Sequence, residues 1–366
     1  GSGRQVGMLC LNSADMGVAY NGIHKSGSVW VPVNVRLDAD TIAYVLRHAE
    51  VSAVVVDEAF MAMPELAAVL RELAVPLILS MAAGAAPHGA IAFAQAWAGR
   101  SAALPDAVIG SDQPALIMYT SGTTGRPKGV VHSHASVAAA LMGNMVGMQI
   151  TQQDVFSGVL PLFHCAQHCL VATAHAAGAT VVLLRGFVPD EVRASILREN
   201  YTIFTGLPMM YGALLMEPTF RAPSVRLAMY AMAPIPKPLI AQIAARMTPE
   251  VMLATGQTEM YPGTMTFRPG DWPDLDANYW GTSLPHNETA VMDDDGNLLG
   301  EGQPGEIVHR GANAMLGYFK DPEATTAAQR FGWHHTGDLG MWGPQGQMMF
   351  LDRKKDMIKT GGENVA

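Results

Sequence analysis

Cysteine is scarce. The 366-residue chain holds three, Cys10, Cys165 and Cys169, and their spacing suggests no disulfide framework, which fits a reducing compartment. Long apolar runs are also missing. The longest, at 170–184, contains His175 and Gly178 and is too short to span a bilayer. No secretory signal pattern is visible, so a soluble cytoplasmic protein is expected. Charge is sparse, 15% of residues, with a net value of −9. That mild acidity argues against a nucleic-acid or anionic-membrane surface. There is no G-x-S-x-G, so serine hydrolase chemistry lacks support. There is no Walker loop either. The acidic run Asp293-Asp294-Asp295-Gly296 lacks the alternating ligands and closing Glu of a calcium loop and reads as a hairpin turn.

Hydrophobic residues, by contrast, make up 49%, ample for a sizeable core, and the length suggests two or more structural units. Residues 6–80 alternate β-rich runs (6–11, 29–33, 51–56, 75–79) with helical patterns (13–25, 38–48, 63–74). Ser13 and Asp38 suit helix N-caps, and Gly27 a stop. Residues 81–112, rich in Ala, Gly and Pro, read as a surface connection. Strands are then expected at 115–118, 155–160, 180–184, 203–204, 225–232 and 251–254. The helices between them fall at 134–146, 166–177, 189–199, 208–216 and 238–247. This alternation predicts an α/β fold with doubly wound, mainly parallel sheets. From Gly263 short strands dominate (289–292, 306–310, 340–342, 348–351) and read as a small β-barrel or distorted sheet attached to the α/β body. Gly1-Ser2-Gly3 reads as a tag remnant. A core strand starts almost at once, so upstream sequence is expected to be absent.

One stretch organises the rest. Tyr119-Thr120-Ser121-Gly122-Thr123-Thr124-Gly125-Arg126-Pro127-Lys128-Gly129 packs three glycines and four aliphatic hydroxyls into eleven residues. It reads as a strand-to-helix loop built for a polyphosphate. Glycines let backbone N–H groups turn inward, hydroxyls donate to anionic oxygens, and Lys128 adds a point charge. Thr255-Gly256-Gln257-Thr258-Glu259 follows a strand and so falls at the carboxyl edge of a parallel sheet, where ligands bind. There Glu259 suits Mg²⁺ and Thr258 an α-phosphate; an ordinary turn is the alternative. In His335-Thr336-Gly337-Asp338-Leu339 a carboxylate can accept from two hydroxyls at once, or merely cap a turn. Residues 352–364 form a charged stretch with a Gly-Gly pair. His164, Cys165, His168 and Cys169 could offer soft ligands to Zn²⁺, although neighbours on one helix converge poorly on one ion; buried Cys as a small hydrophobe is the other reading. His132 and His134 read as structural histidines.

In this order the motifs resemble those of the adenylate-forming superfamily, which includes acyl-CoA and aryl-CoA synthetases, peptide-synthetase adenylation domains and firefly luciferase. The resemblance covers nearly the whole chain. It implies that Thr120, Ser121, Gly122, Thr123, Thr124, Gly125 and Lys128 bind the ATP phosphates. Thr255, Gly256, Gln257, Thr258 and Glu259 would form the second ATP motif, with Thr123 and Glu259 on Mg²⁺. Asp338 would bind ribose, and Arg353 ribose or phosphate. Leu160-Pro161-Leu162-Phe163-His164 would flank the acyl pocket with His164 as its gate, so Lys128, Glu259, Thr258 and His164 form the expected catalytic set. Asp352 would be a hinge pivot, and 359–362 would line the thiol channel. The implied partition is an ATP- and acyl-binding body at 1–262, a β-rich subdomain at 263–351 and a hinge at 352–366. A further domain of about 100 residues is expected beyond the last residue, and the chain alone is expected to adenylate poorly.

The implied activity is ATP-dependent carboxylic acid–CoA ligation through an acyl-adenylate, with ATP, Mg²⁺ and CoA and with no nucleic acid; a homodimer is left open. Two positions depart from the family pattern. Thr255 stands where an adenine-stacking aromatic is usual, with Tyr230 or Tyr261 as replacements. Met232, in Ala231-Met232-Ala233-Pro234, is bulkier than the usual small turn. The Met-rich stretches (Met209, Met210, Met232, Met260, Met265) suggest an apolar acid, fatty over aromatic. A carrier-protein-loading adenylation domain and a non-catalytic nucleotide-binding protein are the rival readings.

Overall fold

A computed structural model describes residues 3–80, 90–101, 103, 108–120, 126–231, 233–275, 277–354, 358–360 and 363–365. Its first sheet grows from β1 (Gln5–Leu9), flanked in parallel by β2 (Val29–Pro32) and β3 (Ala53–Asp57). β4 (Leu77–Ser80) and β5 (Ile91–Ala92) extend one side. On the other, β6 (Pro114–Thr120) pairs in parallel with β2 and antiparallel with β7 (Lys128–Ser133). The intervening helices start where the sequence says they should. Ser13 Oγ accepts from Met16 N, and Asp38 Oδ1 from Thr41 N, each satisfying one otherwise orphaned first-turn amide.

The second sheet is parallel in one half: β8 (Val155–Gly158), β9 (Thr180–Leu183), β10 (Ile203–Gly206), β11 (Leu227–Tyr230) and β12 (Val251–Thr255) lie in the order β9-β8-β10-β11-β12. It then turns antiparallel through β13 (Met265–Phe267) and β14 (Tyr279–Ser283). The remaining members are β15 (Asn287–Met292), β16 (Leu298–Leu299) and β17 (Gly305–Gly311), then, after the short strand β18 (Gly317–Tyr318), β19 (His334–Trp342) and β20 (Met348–Arg353). The order from β14 outward is β20-β19-β17-β15-β16. β18 leaves this sheet and pairs with β7, closing the edge of the first one. β21 (Ile358–Thr360) and β22 (Glu363–Val365) form a separate two-stranded ladder.

The doubly wound α/β class is as expected. The β-rich half is the distorted sheet of the two alternatives, not a closed barrel among the described residues. Its strands continue the parallel sheet, with register shifts at 279/281, 306/308 and 339/340. Gly281 shows why the junction needs glycine. Its φ is +86°, and a Cβ there would lie 1.8 Å from the Thr266 carbonyl oxygen.

Several elements differ from expectation. The run at 128–133 is a strand, because Val130, Val131 and His132 are buried in antiparallel register with β6. The phosphate-loop stretch therefore joins two strands, and the helix His134–Met148 follows only after β7. The 81–112 connection contains β5 and the helix Phe93–Trp97. The expected 63–74 helix is present as Pro64–Glu72, Pro64 taking a first-turn position that needs no N–H, and a short helix that was not expected, Glu58–Met61, precedes it. Asp293 to Gly296 is indeed a hairpin turn, the Asp293 carboxylate accepting from the Asp295 and Asn297 amides.

Candidate active site

Four chain segments converge at the carboxyl end of the parallel half-sheet. The first is the end of β6 and start of β7. Thr120 and Lys128 are cross-strand partners, which fixes both ends of the expected phosphate loop; Ser121, Gly122, Thr123, Thr124 and Gly125 lie outside the described residues. Gly129, the last glycine of the motif, has a structural reason: a Cβ would meet the Ile117 methyl at 2.9 Å.

The second segment leaves β12. Gly256 is pressed against Pro262, where a Cβ would come within 2.3 Å of its Cβ. Thr258 to Met260 form one 3₁₀ turn. The Thr258 carbonyl accepts from His132 Nε2 of β7 at 2.6 Å, so the second motif is tied to the strand behind the first. Burial lowers His132 to about 4, against the opposing pull of the Thr258 carbonyl and the Glu259 charge. It is neutral at pH 7, with the Nε2 proton on the carbonyl.

The third segment is β18. The Tyr318 phenol donates to Glu259 Oε1 at 2.8 Å, and Lys128 Nζ lies over the same ring, 5.1 Å from its centroid. Tyr318 thus touches both a cation and a carboxylate of the expected site. Burial, and then the Glu259 charge, hold its phenol far above the ordinary tyrosine value, so it remains a donor. Nothing in the sequence singles out Tyr318; it follows a glycine in a turn-rich stretch and belongs to none of the motifs.

The fourth segment is β19 with β20. Gly337, at φ +72°, bends the strand so that Asp338 faces Arg353, its cross-strand partner. Arg353 Nε stands 2.8 Å from Asp338 Oδ1, with the carboxylate only 3% exposed. Gln257 Nε2 donates to Asp338 Oδ2 at 3.1 Å and to the Thr336 carbonyl at 2.9 Å, while its Oε1 accepts from His334 Nε2 at 2.8 Å. His334 therefore fixes which way the Gln257 amide points. Sequence reading missed His334, since a histidine one residue ahead of a motif carries no signal.

Gln257 and Glu259, two residues apart, link the Asp338–Arg353 pair to the Glu259–Tyr318–Lys128 group. The Glu259 charge is also felt at Cys165, at the start of the helix Cys165–Ala176. His164 stands at the N-cap position of that helix, without a side-chain bond to its first-turn amides, and is half-buried beside Phe163. Lys128, Thr258, Glu259, Gln257, Asp338 and Arg353 are thus brought into one neighbourhood.

Other expected residues are elsewhere. Tyr261 is fully buried, its hydroxyl 2.7 Å from His168 Nδ1, and Tyr230 is 5% exposed in the core; neither presents a face to a ligand in this structure. Thr255 is partly buried on β12. Met265 packs with Val291, Ile307 and Met348, and Met260 is likewise sealed, whereas Met209 is 70% exposed. Met265 is buried from β13, Met260 is sealed in the 3₁₀ turn after β12, and Met209 faces outward from the helix Pro208–Leu215, so these three do not share one lining; Met232 lies outside the described residues. The proposed soft-ligand set is engaged in packing: His168 with Tyr261, and Cys169 Sγ accepting from Asn144 Nδ2 at 3.2 Å. Among the described residues, no group of three His, Cys, Asp or Glu side chains is placed to hold a metal, and no helix is long and apolar enough to cross a membrane.

Comparison with known proteins places this geometry. The AMP-binding enzyme family matches residues 1–319. The chain is 30% identical to the indoleacetate–CoA ligase of Aromatoleum aromaticum, covering 98% of this chain and 70% of that protein. It is 32% identical to the long-chain-fatty-acid–CoA ligase FadD13 of Mycobacterium tuberculosis, covering 99% and 71%. The crystal structure of ATP-bound MatB from Rhodopseudomonas palustris superposes with a TM-score of 0.84 at 28% identity, over 100% of this chain and 71% of that one. The chain belongs to the AMP-binding enzyme family, in its acyl-CoA ligase branch.

Proposed function

We propose that the four converging segments bind Mg·ATP. The triphosphate lies along the β6–β7 loop and Lys128, and the ribose hydroxyls lie on Asp338 and Arg353. Each carboxylate oxygen has two lone pairs, so Asp338 can keep Gln257 and still accept from a sugar. Glu259 fits a magnesium site: Mg²⁺ takes one or two carboxylates and completes its shell with substrate phosphates and water. When bound, the ion would neutralise phosphate charge. The observation that carries this reading is the continuous linkage Lys128–Tyr318–Glu259 and Gln257–Asp338–Arg353.

The reaction is ligation of an acid to CoA with release of AMP. A carboxylate is a poor acyl donor because oxide leaves badly. Attack on the α-phosphorus breaks its bond to the β-phosphate, gives an acyl-adenylate and releases pyrophosphate. The CoA thiol then forms the thioester, and AMP departs with the bonding pair. Two anions must meet, so the chain's own work is positioning and charge neutralisation: Lys128 and the loop hydroxyls on the phosphates, Thr258 at the α-phosphate. His164 gates the acyl site, and Arg353 steadies the nucleotide as the segment 352–366 hinges. The partition into 1–262, 263–351 and 352–366 and a cytoplasmic setting belong to the same reading.

The substrate class proposed is an apolar monocarboxylate, fatty over aromatic. The segments leaving β8, β10, β11 and β12 (159–164, 207–210, 231–235, 256–260) contain no Lys or Arg, so no clamp for a second carboxylate is at hand. An aryl acid is the second reading, favoured by similarity to an indoleacetate ligase. Acid-dependent pyrophosphate exchange over a panel of fatty, aryl and dicarboxylic acids, with and without CoA, tests it; a preference for dicarboxylates would refute the apolar assignment. Glu259→Gln should lower kcat by about a hundredfold, the size of losing one preorganised charge contact at a reacting phosphate or acyl group.

A further inference from the structure

We propose that Tyr318 is a positioning residue of the metal–nucleotide site, its hydroxyl fixing the Glu259 carboxylate while its ring face seats the Lys128 ammonium. The inference rests on the reading of Glu259 as the magnesium ligand. β18 makes it possible. Gly317 and Tyr318 pair with Val131 and Val130, and Phe319 N bonds the Gly129 carbonyl at 2.7 Å, so the tyrosine is anchored to the strand that carries Lys128. From there its hydroxyl reaches Glu259, in the 3₁₀ turn that follows β12 of the other sheet, at 2.8 Å. The Glu259 main chain is held as well, its carbonyl accepting from Met315 N at 2.8 Å. Carboxylate and ammonium, left alone in one cleft, would attract each other. A neutral phenol that donates to one and offers its π face to the other engages each charge while leaving lone pairs on the carboxylate for an ion. A partner hydrogen-bonded to a metal ligand typically carries tenfold or more of the metal affinity.

The test is a double-mutant cycle read by calorimetric binding of a non-hydrolysable ATP analogue, once with Mg²⁺ and once with chelator. Tyr318→Phe keeps the ring and removes only the hydroxyl. It should weaken the magnesium-loaded analogue about tenfold and leave metal-free binding within about twofold. In the Glu259→Gln background the same change should add almost nothing. A loss equal with and without metal, a loss undiminished in the Glu259→Gln background, or no loss would overturn the proposal. If Glu259→Gln itself keeps the full gain from magnesium, the metal-ligand reading falls and this proposal with it. If only Tyr318→Phe disappoints, the site reading stands and Tyr318 is packing. A thermal melt separates a folding loss from a metal-specific one.

Discussion

Asp338 is the side chain around which the ribose end turns, and its surroundings are specified atom by atom. Gln257 holds Oδ2, Arg353 approaches Oδ1, and Asp338 N bonds Thr336 Oγ1 at 3.0 Å. Replacing Asp338 by Asn should raise the KM for ATP by about tenfold or more, since a hydrogen bond to a charged group contributes about 1.5–3 kcal/mol; the KM for the acid should not move. Gln257→Leu should give a smaller loss in the same parameter, because it frees the carboxylate to rotate without removing it. Steady-state kinetics with ATP and acid varied separately would show the split. At this scale much was legible. Lys128, Glu259, Asp338 and Arg353 were named together through the resemblance of their motifs, in order, to one family; taken singly, each stretch also read as an ordinary turn or cap. Tyr318, His334 and His132 were not legible, because their role lies in which atom they meet, and spacing carries no such information.

The elements show a different limit. Strand β19 spans His334–Trp342, yet only its last residues were expected to be extended. Alternation is present there, with His334, Thr336 and Asp338 buried, but the buried face is polar and so does not register as a hydrophobic period. β7 was hidden for the opposite reason: its apolar run is short and abuts a helix start. Both errors fall beside the site, where polar burial serves ligand chemistry over packing. Gly281 allows a test at this scale. Gly281→Ala combines a disallowed φ with a clash against the Thr266 carbonyl, and backbone strain with overpacking should cost about 3 kcal/mol. Denaturant unfolding should show that loss; a change under about 0.5 kcal/mol would mean that the junction between the parallel and antiparallel halves is softer than its geometry implies.

At the scale of the whole molecule, several imidazoles among the described residues are buried. Burial lowers His24 and His132 to about 4 and His309 to about 3, while the unfolded chain titrates them near 6.5. The unfolded state therefore binds more protons below that value. The stability these groups contribute is complete above pH 6.5 and is lost as the pH falls toward 4 and then 3. Three such groups give a slope of about 4 kcal/mol per pH unit, against a total of about 5–15 kcal/mol for an ordinary domain. Thermal unfolding from pH 7.5 to 5 should show a steep decline in Tm, with an uptake of about three or more protons near pH 5 in calorimetry across buffers of differing ionisation enthalpy. A flat profile would mean that these rings gain partners the structure does not show. His24→Phe should flatten the slope in part.

The pairing of β18 with β7 joins Gly317 to Val131, segments separated in the chain by ten strands of the second sheet, β8 to β17. Contacts of such long sequence separation carry a high closure entropy and tend to form late. During refolding, the first sheet can assemble without ever possessing a working cleft. Nucleotide recognition would then be the last property acquired, arriving only when the distant short strand threads home, and a single backbone cut between the two partners would erase it while leaving most helical signal intact.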